Sequence, residues 1–224
     1  MHHSSTDTME SSTNPCGSPP SKNLLATAKV IVGPNQVEYL VPKDLICQYS
    51  DYFRSSLNSD YKEGDSQTVE LLNVESDVFE RFSHWVSTQE MIFNEGPDRW
   101  KPADSDLLLL SKLWTLGDYL LAESFQNCVM KLIYFVLLGP NDEKHLRDML
   151  NHAYQADIGT MVKEILVHKF CWKLELKELA EWLIQDLPAG FTDHLVCEMK
   201  AVHEGRKSLE KWGFEKVSYY LINN

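Results

Sequence analysis

An α/β fold of the segregated, α+β kind, with a small sheet, clustered helices and an all-helical extension, is predicted by three features of this 224-residue sequence. Two β-branched runs flank Gly33-Pro34-Asn35, a third short run of strand type covers 68–72, and from residue 76 onward apolar side chains recur mainly at helical spacing.

Residues 1–24 read as a disordered Ser-, Thr- and Pro-rich tail. Up to Ser21 the only large apolar residues are Met1 and Met9, too few to offset the entropy of ordering. The runs Ala28-Lys29-Val30-Ile31-Val32 and Val37-Glu38-Tyr39-Leu40-Val41 then form a hairpin, with Gly, Pro and Asn supplying the turn. Pro42 closes the second strand and opens a helix, where its missing N–H costs nothing. That helix is expected over 43–57, with Leu45, Ile46, Tyr49, Phe53 and Leu57 inward. A polar connection over 58–67 leads to the third strand.

Ser76 or Asp77 is placed to cap the next helix, whose stripe is Val78, Phe79, Phe82, Trp85 and Val86 and which should stop near Gln89. Residues 90–94 suggest a short strand, and 95–104 a loop punctuated by Gly96, Pro97 and Pro102. Helices over 106–121 (Leu107, Leu110, Leu113, Trp114, Leu121) and 123–136 (Phe125, Val129, Leu132, Ile133, Val136) are separated by a short break and should pack as neighbours. Gly139-Pro140-Asn141 marks a boundary, giving units of 25–138 and 139–224. The second unit should carry four helices. Their inward residues are Leu146, Met149, Leu150 and Ala153; Val162, Ile165, Leu166 and Phe170; Leu176, Leu179, Trp182 and Leu183; and Phe191, Leu195, Met199 and Val202.

Charge narrows the partners. With 21 Lys+Arg against 33 Asp+Glu the net charge is −12, and no basic cluster exists to neutralise phosphates, so nucleic acid is not an expected partner. The excess lies mostly in 25–138, with nine basic and 17 acidic side chains. The longest apolar run, 132–138, is far short of the ~20 residues that span a bilayer, so no membrane association is expected. Residues 1–21 lack the apolar centre of a secretory signal. Five cysteines without CxxC spacing suit reduced thiols, hence an intracellular setting, cytoplasm or nucleus.

At the joints of this element order the residues become specific. Val41-Pro42-Lys43-Asp44-Leu45, followed by Ser50-Asp51-Tyr52-Phe53-Arg54 and Leu57, resembles the first helical region of the BTB/POZ domain, typically V-H-K-x-L…S-x-x-F-R-x-x-L. Val69-Glu70-Leu71, Val78-Phe79, Trp85-Val86 and the Leu-Gly-Asp-Tyr-Leu-Leu of 116–121 fall where that family has its third strand, middle helix and "L-A-D-K-Y-x-L" helix. The resemblance covers about 26–138. Phe170-Cys171-Trp172-Lys173 and Leu187-Pro188-Ala189-Gly190-Phe191 resemble the helical extension of filamentous-fungal BTB proteins. Pro42 stands where the family often has His, and an Asp near its first strand has no counterpart, so the charged co-regulator pocket of some members is not carried over. Tyr61-Lys62-Glu63 resembles the hydrophobic-x-Glu motif by which BTB adaptors contact cullin-3. An apolar insert beside a carboxylate makes a small hot spot. The alternative is that Tyr61 packs over the first helix and Glu63 is solvated.

No nucleophile elbow, phosphate loop, dinucleotide fingerprint or zinc-protease helix is present. Paired carboxylates such as Asp104/Asp106 read as solvated caps and dipole partners. His168 with Cys171, and His194 with Cys197, are H-x-x-C pairs that put imidazole and thiol one helical turn apart. Facing each other, they would compose a Cys₂His₂ zinc site. Otherwise the cysteines are small core residues with the histidines at its margin. Trp85, Trp114, Trp172 and Trp182 read as core, and Trp100 and Trp212 as covers of a core edge or as partner anchors.

The expected function is protein binding without catalysis or cofactor: an adaptor or scaffold, with cullin-3 as candidate partner through Tyr61 and Glu63. Its substrate would then bind the extension or the tail. The rivals are a self-associating, homodimeric scaffold without a ubiquitin role and a zinc-binding helical protein.

Overall fold

The computed structural model describes residues 26–60, 62–94, 99–155, 160–172, 176–183, 187–204 and 217–222. Strands β1 (Thr27–Val32) and β2 (Val37–Pro42) pair antiparallel, with Thr27 opposite Pro42 and Val32 opposite Val37. Gly33 turns the chain at φ +73°, and a Cβ there would stand 3.2 Å from the Val74 carbonyl oxygen, so glycine suits both the dihedral and the close approach. Along β1 the pleat sends Ala28, Val30 and Val32 inward, all fully buried. Strand β3 (Thr68–Leu71) joins the other edge of β1 in parallel, Val30 opposite Val69, giving the order β2-β1-β3.

A parallel pair needs a crossover. Here it is three short helices: α1 (Lys43–Tyr49), α2 (Asp51–Leu57) and α3 (Lys62–Ser66). The single helix expected over 43–57 is broken at Ser50, whose backbone is extended at φ −140° and ψ 118°. The Ser50 hydroxyl accepts the Phe53 N–H at 3.2 Å and donates to the Leu120 carbonyl at 2.6 Å. A serine that caps a new helix competes with continuing the old one, and this one has a distant acceptor to hold it there. Helix α3 lies within the polar connection over 58–67 and was not foreseen, because a run of Lys, Glu, Gly, Asp and Ser has no apolar stripe to announce it.

Helix α4 (Ser76–Thr88) buries Val78, Phe79, Phe82, Trp85 and Val86 and ends where Gln89 turns left-handed, its N–H bonding the Trp85 carbonyl. Its N-cap position is Glu75, with no side-chain cap, so neither Ser76 nor Asp77 has the capping role expected of it. Residues 90–94 form no strand. Met91 and Phe93 are buried because the loop folds back, with the Phe93 N–H bonding the Arg99 carbonyl at 2.7 Å, so their alternation reflects burial without a ladder. A 3-10 turn, Asp104–Asp106, leads into α5 (Leu107–Tyr119), which packs on α6 (Glu123–Leu138). Gly117 permits that packing: a Cβ there would lie 2.6 Å from Gln126 Cγ and 3.0 Å from Phe125 Cδ1.

The extension is helical, as expected: α7 (Glu143–Gln155), α8 (Thr160–Trp172), α9 (Leu176–Leu183), α10 (Phe191–His203) and a closing 3-10 segment, Val217–Tyr220. Its apolar faces share one core with the preceding elements, α7 against α5 and α8 against α6. The Phe170 ring meets Trp182 and Phe191 edge-on, each at 4.9 Å. Met199, expected inward, is exposed on α10.

Polar contacts tie the elements on either side of Gly139. Asp104 accepts from Asn141 Nδ2 (2.9 Å) and the Asp142 N–H (2.7 Å) and lies 3.1 Å from His145 Nδ1, so it anchors a junction where a solvated cap was expected. Asp106 does act as a cap, accepting the Ala103 N–H at 2.7 Å. The tail 1–24, Tyr61 and Trp212 lie outside the described residues, as do the side chains of Trp172, Leu176, Leu183 and Val202. No helix among the described residues is long and apolar enough to cross a membrane.

Candidate docking surface

Helix α5 ends at Tyr119, and the chain reverses into α6 through Leu120, Leu121 and Ala122. Leu121 adopts φ +51°, and the reversal sends Leu120 fully into the core while leaving Leu121 59% exposed. The sequence placed Leu121 on the inward face of a helix reaching 121. The earlier helix end changes that, because one left-handed residue breaks the periodicity on which the assignment rested. The N–H groups of Asp51 and Tyr52, at the unsatisfied start of α2, point at the carbonyls of Leu121 and Leu120, each at 3.4 Å. With the Ser50 contact, this locks α2 to the reversal.

The lock brings Tyr52 beside Tyr119, ring centroids 5.3 Å apart and tilted by 38°. Tyr119 is 53% exposed. Burial and the neighbouring Tyr119 hydroxyl push the Tyr52 phenol up to about 12, with the Glu63 carboxylate adding to the shift. Tyr52 is therefore a neutral donor at any physiological pH. Glu63 is itself exposed, on α3. Two aromatic rings and a projecting leucine, rimmed by a carboxylate, have the composition of a partner-binding hot spot.

Next to this patch, and sharing Tyr119 with it, is a cleft of about 520 Å³ between the β3–α4 connection and α5. Glu70, Leu72 and Val74 line one wall and Thr115 and Leu116 the other, with His152 of α7 at its margin. Lys112 reaches both Glu75 carboxylate oxygens at 2.7 Å. His152 Nδ1 lies 2.8 Å from Ser111 Oγ, and burial, then the Lys112 charge, hold its pKa below the usual 6.5. The folded protein thus binds fewer protons than the unfolded chain below that value. The contribution is complete above pH 6.5 and is lost as pH falls through the depressed folded pKa. Urea midpoints measured from pH 7.5 downward are expected to decline below about 6.5, with a shallower decline in His152→Gln.

Of the residues singled out from the sequence, Glu63 is on this surface and Tyr61 lies outside the described residues. The His and Cys pairs do not converge. His168 is buried, with Nδ1 2.5 Å from the Tyr220 hydroxyl and Nε2 3.4 Å from Glu198 Oε1. His194 Nδ1 lies 3.0 Å from the Tyr154 hydroxyl. Cys197 is exposed, which also removes it from the core that was its other expected place, and Cys171 is half-buried. Among the described residues no group of three His, Cys, Asp or Glu side chains is arranged to hold a metal ion. No disulfide joins Cys47, Cys128, Cys171 and Cys197 to one another. Trp85, Trp114 and Trp182 are buried as expected, and Trp100 is exposed. Leu121 was missed as a surface residue because its spacing puts it on the helical stripe; Tyr119 lies off that stripe, and nothing in the sequence says that it meets Tyr52.

Comparison with protein families and with curated sequences gives no match. Among solved structures, the BTB (Tramtrack and Bric a brac) domain of human gigaxonin aligns at 14% sequence identity and a TM-score of 0.36, over 54% of this chain and 98% of that domain.

Proposed function

We propose that the chain is a non-catalytic protein-interaction adaptor or scaffold of BTB type, with residues 25–138 as its docking module and 139–224 as an extension like those of filamentous-fungal members. The observation that carries this reading is the exposed Tyr119-to-Leu121 reversal, braced by Tyr52 and rimmed by Glu63. Hairpin, helical crossover, parallel strand, helix and helical pair follow in the order of that family, and the residue resemblances fall at the joints of these elements.

Cullin-3 is the partner this surface suits within that reading. The triplet Tyr61-Lys62-Glu63 pairs an apolar residue with a carboxylate in sequence, and Glu63 rims a ready apolar platform. Size-exclusion co-elution with the cullin-3 N-terminal region is the test. Tyr61→Ala combined with Glu63→Ala is expected to weaken the complex by about tenfold or more. Failure to co-elute, or binding unchanged by the double variant, removes the cullin assignment.

Self-association is a second reading, favoured by edge strand β2, where Leu40 is 72% exposed and Val37 also faces solvent. Sedimentation analysis separates the two: a dimer dispersed by Leu40→Lys, without cullin binding, selects the homodimeric scaffold.

A further inference from the structure

The sheet has one edge that the docking surface just described does not use. Strand β1 covers only one side of β3. Lys29 N–H bonds the Gln67 carbonyl at 2.9 Å and Gly33 N–H bonds the Leu71 carbonyl at 3.1 Å. Peptide groups alternate sides along a strand, so Glu70 turns its N–H and C=O to the opposite edge. Among the described residues no strand pairs there and neither group has a hydrogen-bond partner. The cleft begins at this point, with residues 70–72 along one wall and α5 across from them.

The charges of the cleft select an occupant. Lys112 and Glu75 neutralise each other at 2.7 Å, whereas Glu70 is exposed and has no ion pair among the described residues. Leu72 and Tyr119 offer apolar surface on either side, 42% and 53% exposed. A second copy of the same strand, added about a two-fold axis, would bring Glu70 towards Glu70, and like charges across a strand pair repel. A basic strand finds a partner instead.

The geometry points to a peptide-docking site at the open edge of β3, taking an extended segment that alternates basic and apolar residues, with Glu70 pairing its cation and Tyr119, across the cleft, seating its apolar side chains. Main-chain hydrogen bonds to the Glu70 peptide group supply affinity, and the alternating side chains supply selectivity. The inference uses no residue of the Tyr61 triplet and does not rest on the BTB or cullin reading.

Four fluorescein-labelled nonapeptides test it by anisotropy with the full chain: alternating Lys-Val, alternating Glu-Val, Lys-Val interrupted by proline, and scrambled Lys-rich without alternation. Binding of the first alone is expected, with slowed amide exchange at Glu70 and unchanged exchange along β2. Tyr119→Ala should weaken it about tenfold, and Glu70→Lys should abolish it and admit the Glu-Val peptide. Glu70 is exposed, so that reversal does not depend on a core change. No binding by the Lys-Val peptide overturns the proposal. So does equal binding of the proline-interrupted or scrambled peptides, which would mark diffuse attraction to an acidic chain, and so does a Lys-Val affinity indifferent to Glu70→Lys. A β3-edge dimer broken by Glu70→Lys would assign the edge to self-pairing and overturn it as well.

Discussion

Replacing Phe125 with alanine is expected to remove roughly 3–5 kcal/mol of stability, the cost of truncating a fully buried aromatic ring. Phe125 lies at the start of α6 and is wholly buried. Its ring meets Phe82 edge-on at 5.0 Å and Trp85 at 5.1 Å, and Trp85 in turn meets Tyr49 of α1 at 5.2 Å. One ring therefore joins the helical pair to α4 and, through Trp85, to α1 of the crossover. A loss of this size is a large part of the 5–15 kcal/mol typical of folded proteins. Urea unfolding followed by tryptophan fluorescence is the measurement. Phe125→Leu, which keeps most of the volume, should cost less than half as much, and a loss below about 1 kcal/mol for Phe125→Ala would show that the cluster collapses into the space.

The second large effect is expected at Lys169. This lysine is 4% exposed on α8, and its Nζ donates to the carbonyls of Leu137 and Gly139, each at 2.8 Å. Those oxygens belong to the end of α6, where the helix leaves carbonyls without internal partners and where a positive charge is favoured. Lys169→Met keeps the aliphatic stem and removes the ammonium, leaving two acceptors without their donor. The expected cost is about 2–4 kcal/mol. Because Lys169 links α8 to the end of α6, the loss should show regionally: hydrogen exchange should accelerate at the end of α6 and in α7 and α8 more than in the sheet. Uniform acceleration, or none, would contradict the junction role.

These two sites differ in how far they were legible before folding. Phe125 was placed inward from its spacing with Val129, Leu132, Ile133 and Val136, and the tertiary structure put it there. Lys169 carries no such signal, since a lysine between Val167 and Phe170 reads as a solvated interruption until the end of α6 is seen to meet it. The docking patch divides in the same way. Glu63 was singled out because Tyr61-Lys62-Glu63 resembles a motif of BTB adaptors. Leu121 was hidden within a helical stripe, Tyr119 lay off that stripe with no sign of its neighbour, and Tyr52 was hidden within a crossover expected to be one continuous helix.

By itself the sequence determined the kinds of element and most of their inward faces: the hairpin at Gly33, the third strand, the stripe of α4, the α5–α6 pair and the four helices after Gly139. It also determined the acidity of residues 25–138. Those properties are local, set by side-chain period, turn chemistry and composition. Only the tertiary structure decided that the crossover breaks at Ser50, that Leu121 faces outward, that Asp104 meets the start of α7 and Lys169 the end of α6, and that His168 meets Tyr220 and Glu198 instead of the other H-x-x-C pair. Each depends on a partner far away in the chain: Ser50 on the carbonyl of Leu120, 70 residues on, and His168 on Tyr220, 52 residues on. Periodicity reports which side of an element faces the core. Which polar group waits there is decided when the elements pack.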